Sequence, residues 1–317
     1  MTRRTIPTAA KLVVAAAALG AAALFNRKKA REAEAESPPA GKFVEVDGIR
    51  LHYIERGDGP PLVMLHGMGA LVQDFLGSGL IDRAAERYRV IAFDRPGYGY
   101  SERPRDQMWP AEAQAALIQA ALVKLGIERP VVLGHSWGTL PALALALNYP
   151  EQVSGLVLLS GYYFASPRPD PLLLVGPSLP YLGPLVANTV SPLIGRATRP
   201  VVFRQIFAPN AVPDRFEELF PVELALRPVH IQASAGDAGQ MQMAAMKLSK
   251  RYGELTMPVA IAAGDGDKVV AFSQAERLHA AIPHSSFHPA PEVGHMIHWI
   301  VPDLVMDAID AAAGDAS

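Results

Sequence analysis

A glycine-flanked serine follows a short apolar run near the middle of the chain, in the stretch VVLGHSWGT that begins at Val131. Residues Gly134–Gly138 fit the pattern G-x-S-x-G, and the alanine- and leucine-rich segment Leu140–Asn148 follows. A strand, a sharp turn and a helix in that order form the context in which this pattern presents a nucleophile. The glycines allow a turn too tight for larger side chains, and the helix start supplies a positive dipole end. The stretch therefore predicts that Ser136 is a nucleophile.

A serine hydroxyl needs help from other side chains. Unassisted, it is a poor nucleophile at neutral pH, so a base with a pKa near 7 must accept its proton. An imidazole in that role needs a carboxylate to fix its tautomer and to stabilise the imidazolium. The chain has nine histidines and 31 acidic residues, so position along the fold must select among them.

Short apolar runs alternate with helical patterns over most of the chain. The predicted strands are Phe43–Val46, Ile49–Ile54, Leu62–Leu65, Arg89–Phe93, the run before Gly134, Leu156–Ser160, Val259–Ala263 and Ser286–His288. Such alternation favours the α/β class, with a mostly parallel central sheet and helices on both faces. Active sites of such sheets gather at the carboxyl ends of the strands. His66, Asp94 and Ser136 all lie just past predicted strand ends.

The alternation stops between residues 162 and 256. Eight prolines lie between Pro167 and Pro200, where no strand can be traced, and Asp214–Leu226 and Gln240–Tyr252 look helical. An excursion of about 95 residues between two strands is too long for a loop without structure of its own. We expect a mainly helical cap or lid at 162–256, inserted into a core formed by 43–161 and 257–317.

Composition limits the classes of partner. With 317 residues, half of them hydrophobic, the chain can bury a large core. A net charge of −2 gives no reason to expect nucleic acid as a partner. The absence of cysteine excludes disulfides, thiolate metal sites and cysteine nucleophiles.

The N-terminal 31 residues predict a hydrophobic anchor or a signal. Leu12–Phe25 is uncharged and alanine-rich, and Ile6–Phe25 reaches the length of a membrane span if Lys11 extends to the interface. Basic residues directly after the run favour an uncleaved anchor, with orientation open. The alternative is export to the periplasm with cleavage, because a pair of arginines precedes the run and small residues end it. Residues 32–42 are expected to form a linker.

Five motifs in register resemble the α/β-hydrolase superfamily. They are His66–Gly69, Asp94–Ser101, Gly134–Gly138, Gly264–Val270 and Gly294-His295. The chain order Ser, Asp, His is the order of that family. The insertion follows the strand that ends at Ser160, and this placement is similar to that of the lid in the lidded members of the family. Among these members the chain resembles the epoxide hydrolase and dehalogenase branch. That branch has an aspartate nucleophile where this chain has Ser136.

The resemblance implies a role for each matching residue. Ser136 would be the nucleophile, His295 the general base and Asp267 the acid that orients the imidazole. The backbone N–H groups of Met68 and Trp137 would form the oxyanion hole. His66 and Gly67 would support that loop. No cofactor and no metal are implied.

Several alternatives remain open at this stage. Asp265 is the rival acid, because the acid could lie two positions earlier in the motif Gly264–Val270. Asp170, after the earlier strand, is a remote alternative. Asp94 is expected to hold its own turn. His295 and His298 form an H-x-x-H pair, but no further ligand cluster lies nearby in sequence to favour a metal site.

A serine at the elbow favours acyl transfer. We expect a carboxylic ester hydrolase that acts on a small-molecule acyl substrate through an acyl-serine intermediate. Carbon–carbon bond hydrolysis of a diketone and cofactor-free perhydrolase or haloperoxidase chemistry use the same residues and stay open. A catalytically silent binding protein on this fold is the alternative of another class. The sequence leaves the oligomeric state unknown.

Overall fold

The computed structural model describes residues 7–166 and 175–314. Within them a mostly parallel sheet lies at the centre, as predicted. Its strands are β1 Lys42–Val46, β2 Ile49–Arg56, β3 Pro61–Leu65, β4 Arg89–Phe93, β5 Val131–His135, β6 Gly155–Leu159, β7 Val259–Gly264 and β8 Ser286–Ala290. The strand order across the sheet is β1-β2-β4-β3-β5-β6-β7-β8.

The first two strands pair antiparallel and the others are parallel. β1 and β2 form a hairpin around Asp47 and Gly48, which both have positive φ, as a tight two-residue turn requires. β2 is antiparallel to β4, and every later pairing is parallel. The register aligns Leu65 with Phe93, and His135 with Leu159. The carboxyl ends of β3, β4 and β5 therefore reach the same edge.

Helices cover both faces of the sheet. The helices are α1 Thr8–Glu36, α2 Val72–Ser78, α3 Leu80–Ala84, α4 Ala111–Lys124, α5 Thr139–Asn148, α6 Leu182–Asn188, α7 Val190–Phe207, α8 Asp214–Leu219, α9 Val222–Ala225, α10 Pro228–Leu248, α11 Ser273–Ala281, α12 Ile297–Ile300 and α13 Pro302–Ala313. Strand side chains alternate between two apolar clusters, so that Val63 and Leu65 belong to one and Leu62 and Met64 to the other. This alternation is the period of two that a strand buried on both faces must have.

The described part of the insertion between β6 and β7 is mainly helical. Helices α6 and α7 occupy part of the proline-rich stretch in which the sequence shows no strand. Pro184 and Pro192 lie in the first turns of these helices, where a missing N–H removes no helical hydrogen bond. α10 begins at Pro228, twelve residues before the helix predicted from Gln240, and its C-terminal half packs into the core cluster on one sheet face.

The N-terminal helix is longer than the sequence indicated. α1 continues to Glu36, so the first residues of the predicted linker at 32–42 are helical. Its second half contacts the insertion. The Asn26 side chain is buried, donates to the carbonyls of Asn188 and Thr189, and accepts from Arg196. These contacts explain why the helix does not end with the apolar run.

Candidate active site

Ser136 stands at a strained turn directly after β5. Its φ is 53°, in the left-handed region that non-glycine residues rarely occupy. The flanking glycines are required by close approach. A Cβ on Gly134 would lie 2.5 Å from the Gly138 carbonyl oxygen, and one on Gly138 would lie 2.2 Å from that of Leu65. Backbone strain held by neighbouring structure is a feature of functional sites.

A continuous hydrogen-bond path joins the three residues that the sequence singled out. His295 Nε2 lies 2.8 Å from the Ser136 hydroxyl oxygen, and His295 Nδ1 lies 2.7 Å from Asp267 Oδ2. The second oxygen of Asp267 accepts the backbone N–H groups of Val269 and Val270 at 2.7 and 3.0 Å. Because these amides fix the carboxylate, its other oxygen is aimed at the imidazole. The arrangement can pass a proton from Ser136 to His295.

The rival acids lie elsewhere. Asp265 accepts the Glu292 N–H at 2.6 Å in an exposed loop and does not contact His295. Asp94 accepts from His52 and from the Val72 and Tyr100 amides, so it holds its own loop. Burial acts to raise the pKa of Asp94, but its hydrogen bonds, first that to His52, outweigh burial and lower it. Asp170 lies outside the described residues.

The loop after β3 lies against the nucleophile. A Cβ on Gly67 would be 3.1 Å from the Ser136 Cβ, so any larger residue there would press on the nucleophile. His66 Nδ1 donates to the Gly67 carbonyl at 2.8 Å, while its Nε2 accepts the Arg95 N–H at 3.0 Å. Burial and the neighbouring Arg95 guanidinium lower the pKa of His66 to about 4. A neutral His66 can therefore serve this loop by hydrogen bonding.

The peptide N–H groups of Met68 and Trp137 belong to the segments beside Ser136. The carbonyl of Ser136 accepts the Thr139 hydroxyl at 2.6 Å, which fixes the peptide group that includes the Trp137 N–H. Within the part of the chain that the structure describes, the Met68 amide has no acceptor. An amide held in this state is available to a developing oxyanion.

The insertion holds the loop of His295 in a way that the sequence did not predict. The Asn210 side chain accepts the Gly294 N–H at 2.9 Å and donates to the Glu292 carbonyl at 3.1 Å. Beside it an aromatic cluster joins the insertion to the residues after His295, with Phe216 5.0 Å from Trp299 between ring centroids. Asn210 lies between two helical segments, in a position that no motif marks.

Three further side chains form a buried polar cluster behind His295. His135 Nε2 donates to the His295 carbonyl at 3.1 Å, and His298 pairs with Asp74 at 3.1 Å. Potential ligand atoms of Asp74, His135 and His298 lie within 4.8 Å of one another, so these three side chains are close enough together to share a metal ion. Burial lowers the pKa of His135 well below its usual value. His135 thus acts on His295 through the backbone and not on Ser136.

An open groove of about 700 Å³ lies on the insertion side. Its walls come from the loop around Arg103–Trp109, the segment 175–184 and one face of α10. Ser136, Asp267 and His295 are not among the residues that line it. The groove is therefore separate from the hydrogen-bond path.

Comparison with known proteins gives the same fold. A family model described as the alpha/beta hydrolase fold matches residues 60–190. Among curated relatives, a 2-hydroxy-6-oxononadienedioate/2-hydroxy-6-oxononatrienedioate hydrolase of Pseudomonas putida is 28% identical over 262 residues. The match covers 79% of this chain and 87% of the relative.

Two solved structures extend the comparison. A thermophilic esterase from Thermogutta terrifontis, with malate bound, superposes with a TM-score of 0.71 at 20% identity, over 85% of this chain and 97% of the esterase. A membrane phospholipase A, described as a bacterial virulence factor, superposes with a TM-score of 0.66 at 22% identity. That match covers 96% of this chain and 97% of the phospholipase. At these identities the likeness establishes a shared fold.

Proposed function

The chain is an α/β hydrolase by its fold and by its match to the family model, and from that premise we propose that it hydrolyses a carboxylic ester through an acyl intermediate on Ser136. The observation behind this proposal is the unbroken path from the Ser136 hydroxyl through His295 to Asp267. Each group in the path has a partner that orients it, as acyl transfer requires.

In the first half-reaction Ser136 attacks the ester carbonyl. His295 Nε2 takes the hydroxyl proton, and Asp267 stabilises the imidazolium and keeps the remaining proton on Nδ1. The negative charge that develops on the carbonyl oxygen is met by the N–H groups of Met68 and Trp137. When the tetrahedral intermediate collapses, His295 protonates the leaving alcohol and the acyl group stays on Ser136.

In the second half-reaction water takes the place of the alcohol. His295 accepts a proton from water, hydroxide adds to the acyl carbon, and the same two N–H groups hold the second oxyanion. Collapse returns the proton from His295 to Ser136 and releases a carboxylic acid. No cofactor is required by these steps.

A fluorophosphonate probe tests the proposal on the full chain. Such probes phosphonylate an activated serine, so mass spectrometry of the wild type should place the label on Ser136. Ser136→Ala should remove both the label and turnover of a p-nitrophenyl ester. A folded wild-type protein that takes no label would overturn the proposal and favour a binding protein on this fold.

Hydrolysis of a carbon–carbon bond is the second candidate, because the Pseudomonas putida relative is named as a hydrolase of oxo-dienedioates. The same serine and imidazole can serve at a ketone carbonyl. The two activities separate in a substrate panel of esters and vinylogous diketones, compared by kcat/KM. Hydrogen peroxide in place of water would test the perhydrolase alternative on the same acyl intermediate.

We propose in addition that residues 6–25 anchor the protein to a membrane. α1 is long and apolar enough to span one, with a mean hydropathy of 1.9 over 18 residues, none of which is buried. The contacts with the insertion begin at the end of this stretch, where the Arg196 guanidinium lies 5.1 Å from the centroid of the Phe25 ring and Asn26 donates to two backbone carbonyls. The positive charges that follow the apolar run oppose translocation of the segment.

Cell fractionation tests the anchor. The full chain should remain in the membrane pellet after carbonate extraction, with an intact N-terminus by mass spectrometry. A variant that lacks residues 1–23 keeps Asn26 and should become soluble while retaining esterase activity. Recovery of the full-length product in the periplasm with a shortened N-terminus would show a cleaved signal instead.

A further inference from the structure

Arg95 and Asp237 meet in the interior beside the candidate oxyanion loop. Arg95 follows β4 and is 1% exposed, while Asp237 comes from α10 of the insertion and is 0% exposed. Arg95 Nη1 donates to Asp237 Oδ2 at 2.8 Å. Charged groups this deeply buried persist only where their hydrogen bonds are satisfied.

The carboxylate of Asp237 is fully occupied. Oδ2 accepts from Arg95 and from the Tyr98 hydroxyl at 2.7 Å. Oδ1 accepts from Arg103 at 3.0 Å and from Gln114 at 3.1 Å. Four donors fill the four lone-pair positions that an ionised carboxylate offers. Arg95 Nη1 also donates to the side-chain oxygen of Gln114 at 2.9 Å, so two buried acceptors fix this end of the guanidinium.

That orientation points the rest of the guanidinium at the oxyanion loop. Arg95 Nε donates to the His66 carbonyl at 2.7 Å, and Nη2 donates to the Gly67 carbonyl at 3.1 Å. The guanidinium also lies 4.6 Å from the centroid of the Trp137 ring. The Trp137 indole N–H donates to the backbone carbonyl of Asp237 at 3.0 Å. Both segments that flank Ser136 are thus attached to the same ion pair.

The Gly67 carbonyl and the Met68 N–H belong to one peptide group. Outside Ala208–Pro209, the described peptide bonds are trans, so this carbonyl and this N–H point in opposite directions from a rigid plane. Fixing the Gly67 oxygen therefore fixes the direction of the Met68 N–H. A cation hydrogen-bonded to the oxygen also polarises the peptide and strengthens its N–H as a donor.

We infer that Arg95 is a positioning residue for the oxyanion hole, and that Asp237 on the insertion holds Arg95 in place. The inference rests on the proposed ester hydrolysis. It assigns the insertion a part in transition-state stabilisation, because α10 supplies the anion that orients the Met68 peptide. Arg95 acts through this peptide and does not touch the substrate.

Arg95→Lys is the direct test. Lysine keeps a positive charge beside Asp237 but lacks the planar fork that reaches two carbonyls at once. With a p-nitrophenyl ester we expect kcat to fall about 10- to 100-fold, short of the 10²–10³-fold loss for removal of a donor. KM should change by less than about threefold, since the effect arises in the transition state. Asp237→Asn should lower kcat in the same way.

Arg103→Lys is the matched control. Arg103 also binds Asp237, but its second hydrogen bond goes to the Pro96 carbonyl and not to the oxyanion loop. Arg103→Lys should lower the melting temperature about as much as Arg95→Lys does. It should leave kcat within about twofold of wild type. A second readout is the Kd of an alkylboronic acid, which forms a tetrahedral adduct with the serine. For Arg95→Lys this Kd should rise by the same factor by which kcat/KM falls, and for Arg103→Lys it should stay unchanged.

Two results would overturn the inference while leaving the proposed function intact. One is a wild-type kcat in Arg95→Lys and Asp237→Asn, with normal fluorophosphonate labelling of Ser136. The other is an equal loss of kcat in Arg103→Lys, which would mean that the network only stabilises the fold. A wild-type protein without label or esterase activity would instead refute the proposed function.

Discussion

The two sides of the candidate site are held in place by different chemistry. On the general-base side, His295 is fixed by Asp267 and by loop contacts to Asn210. On the oxyanion side, the peptide before Met68 is fixed by Arg95 within a buried network of ions. On the first side, the contacts that Asn210 adds to the loop of His295 are neutral hydrogen bonds. The second depends on charges that water cannot reach.

The difference has an energetic consequence. A neutral hydrogen bond contributes about 1 kcal/mol net, so its loss perturbs a loop without endangering the fold. A buried ion that loses its partner leaves an uncompensated charge, and the cost is about 3–5 kcal/mol. The free energy of unfolding should therefore fall less when Asn210 is replaced than when either member of the Arg95–Asp237 pair is replaced.

The largest expected effect on kcat distinguishes Asp267 from Asp265 as the acid that orients His295. Asp267→Asn keeps the shape of the side chain but favours the wrong tautomer of His295, and kcat should fall about 10⁴-fold. Asp265→Asn is the matched control, because its carboxylate accepts the Glu292 amide N–H and does not bind the His295 imidazole. Its kcat should stay within about threefold of wild type. Steady-state kinetics on one ester would decide, and the reverse pattern would make Asp265 the acid.

Asn210→Ala tests the supports of the general-base side. The variant loses hydrogen bonds to the Gly294 amide and to the Glu292 carbonyl, so kcat should fall about 5- to 30-fold. Asn188→Ala is a control within the same insertion, since that exposed side chain donates to the Pro184 carbonyl on its own helix, away from the loop of His295. Unchanged kcat in Asn210→Ala would show that His295 needs no support from the insertion.

Combining Asn210→Ala with Arg95→Lys sharpens the comparison. The two residues share no hydrogen-bond partner, so their effects on kcat should multiply within a factor of about two. If kcat of the double variant is no lower than that of the less active single variant, the two sides act as one unit.

The smallest effect concerns stability in acid and involves His230, which packs against Tyr98 on the oxyanion side. Burial, with the neighbouring His66 and Arg227, lowers the pKa of His230 to about 3. The unfolded chain, with a pKa near 6.5, binds the proton first, so the free energy of unfolding falls as pH drops from 6.5 toward 3. The contribution of this one group approaches about 1.4 kcal/mol per pH unit.

His230→Phe removes that titration and keeps a ring against Tyr98. Urea unfolding at pH values from 7 to 4.5 should show a shallower loss of stability for this variant than for wild type. The exposed His284→Phe is the control and should follow the wild-type slope. Parallel curves for His230→Phe and wild type would contradict the expected burial of a neutral imidazole.

Much of the architecture could be predicted from local patterns. The strands at Leu62–Leu65, Arg89–Phe93 and Val259–Ala263 were located to within a residue or two, because an apolar run bounded by turn residues is a local signal. The α/β-hydrolase fold predicted from the five motifs is confirmed. The helices α6 and α7 were not predicted individually within the expected helical cap, because prolines obscure a helical pattern. Pro184 and Pro192 fall in the first turns of these helices, and Pro200 lies inside α7.

The amino-acid sequence by itself determined which groups could react: a serine between glycines, a histidine in a late loop and an acid after β7. Those residues stand in short motifs whose spacing reflects the turn that holds them. Only the tertiary structure decided that Asp267 faces His295, that Asn210 holds its loop and that Asp237 meets Arg95. The last pair is separated by 142 positions. A lone aspartate in a nearly uncharged helix is a weak signal, and its partner is set by packing of the insertion on the sheet, which leaves no periodicity in the chain.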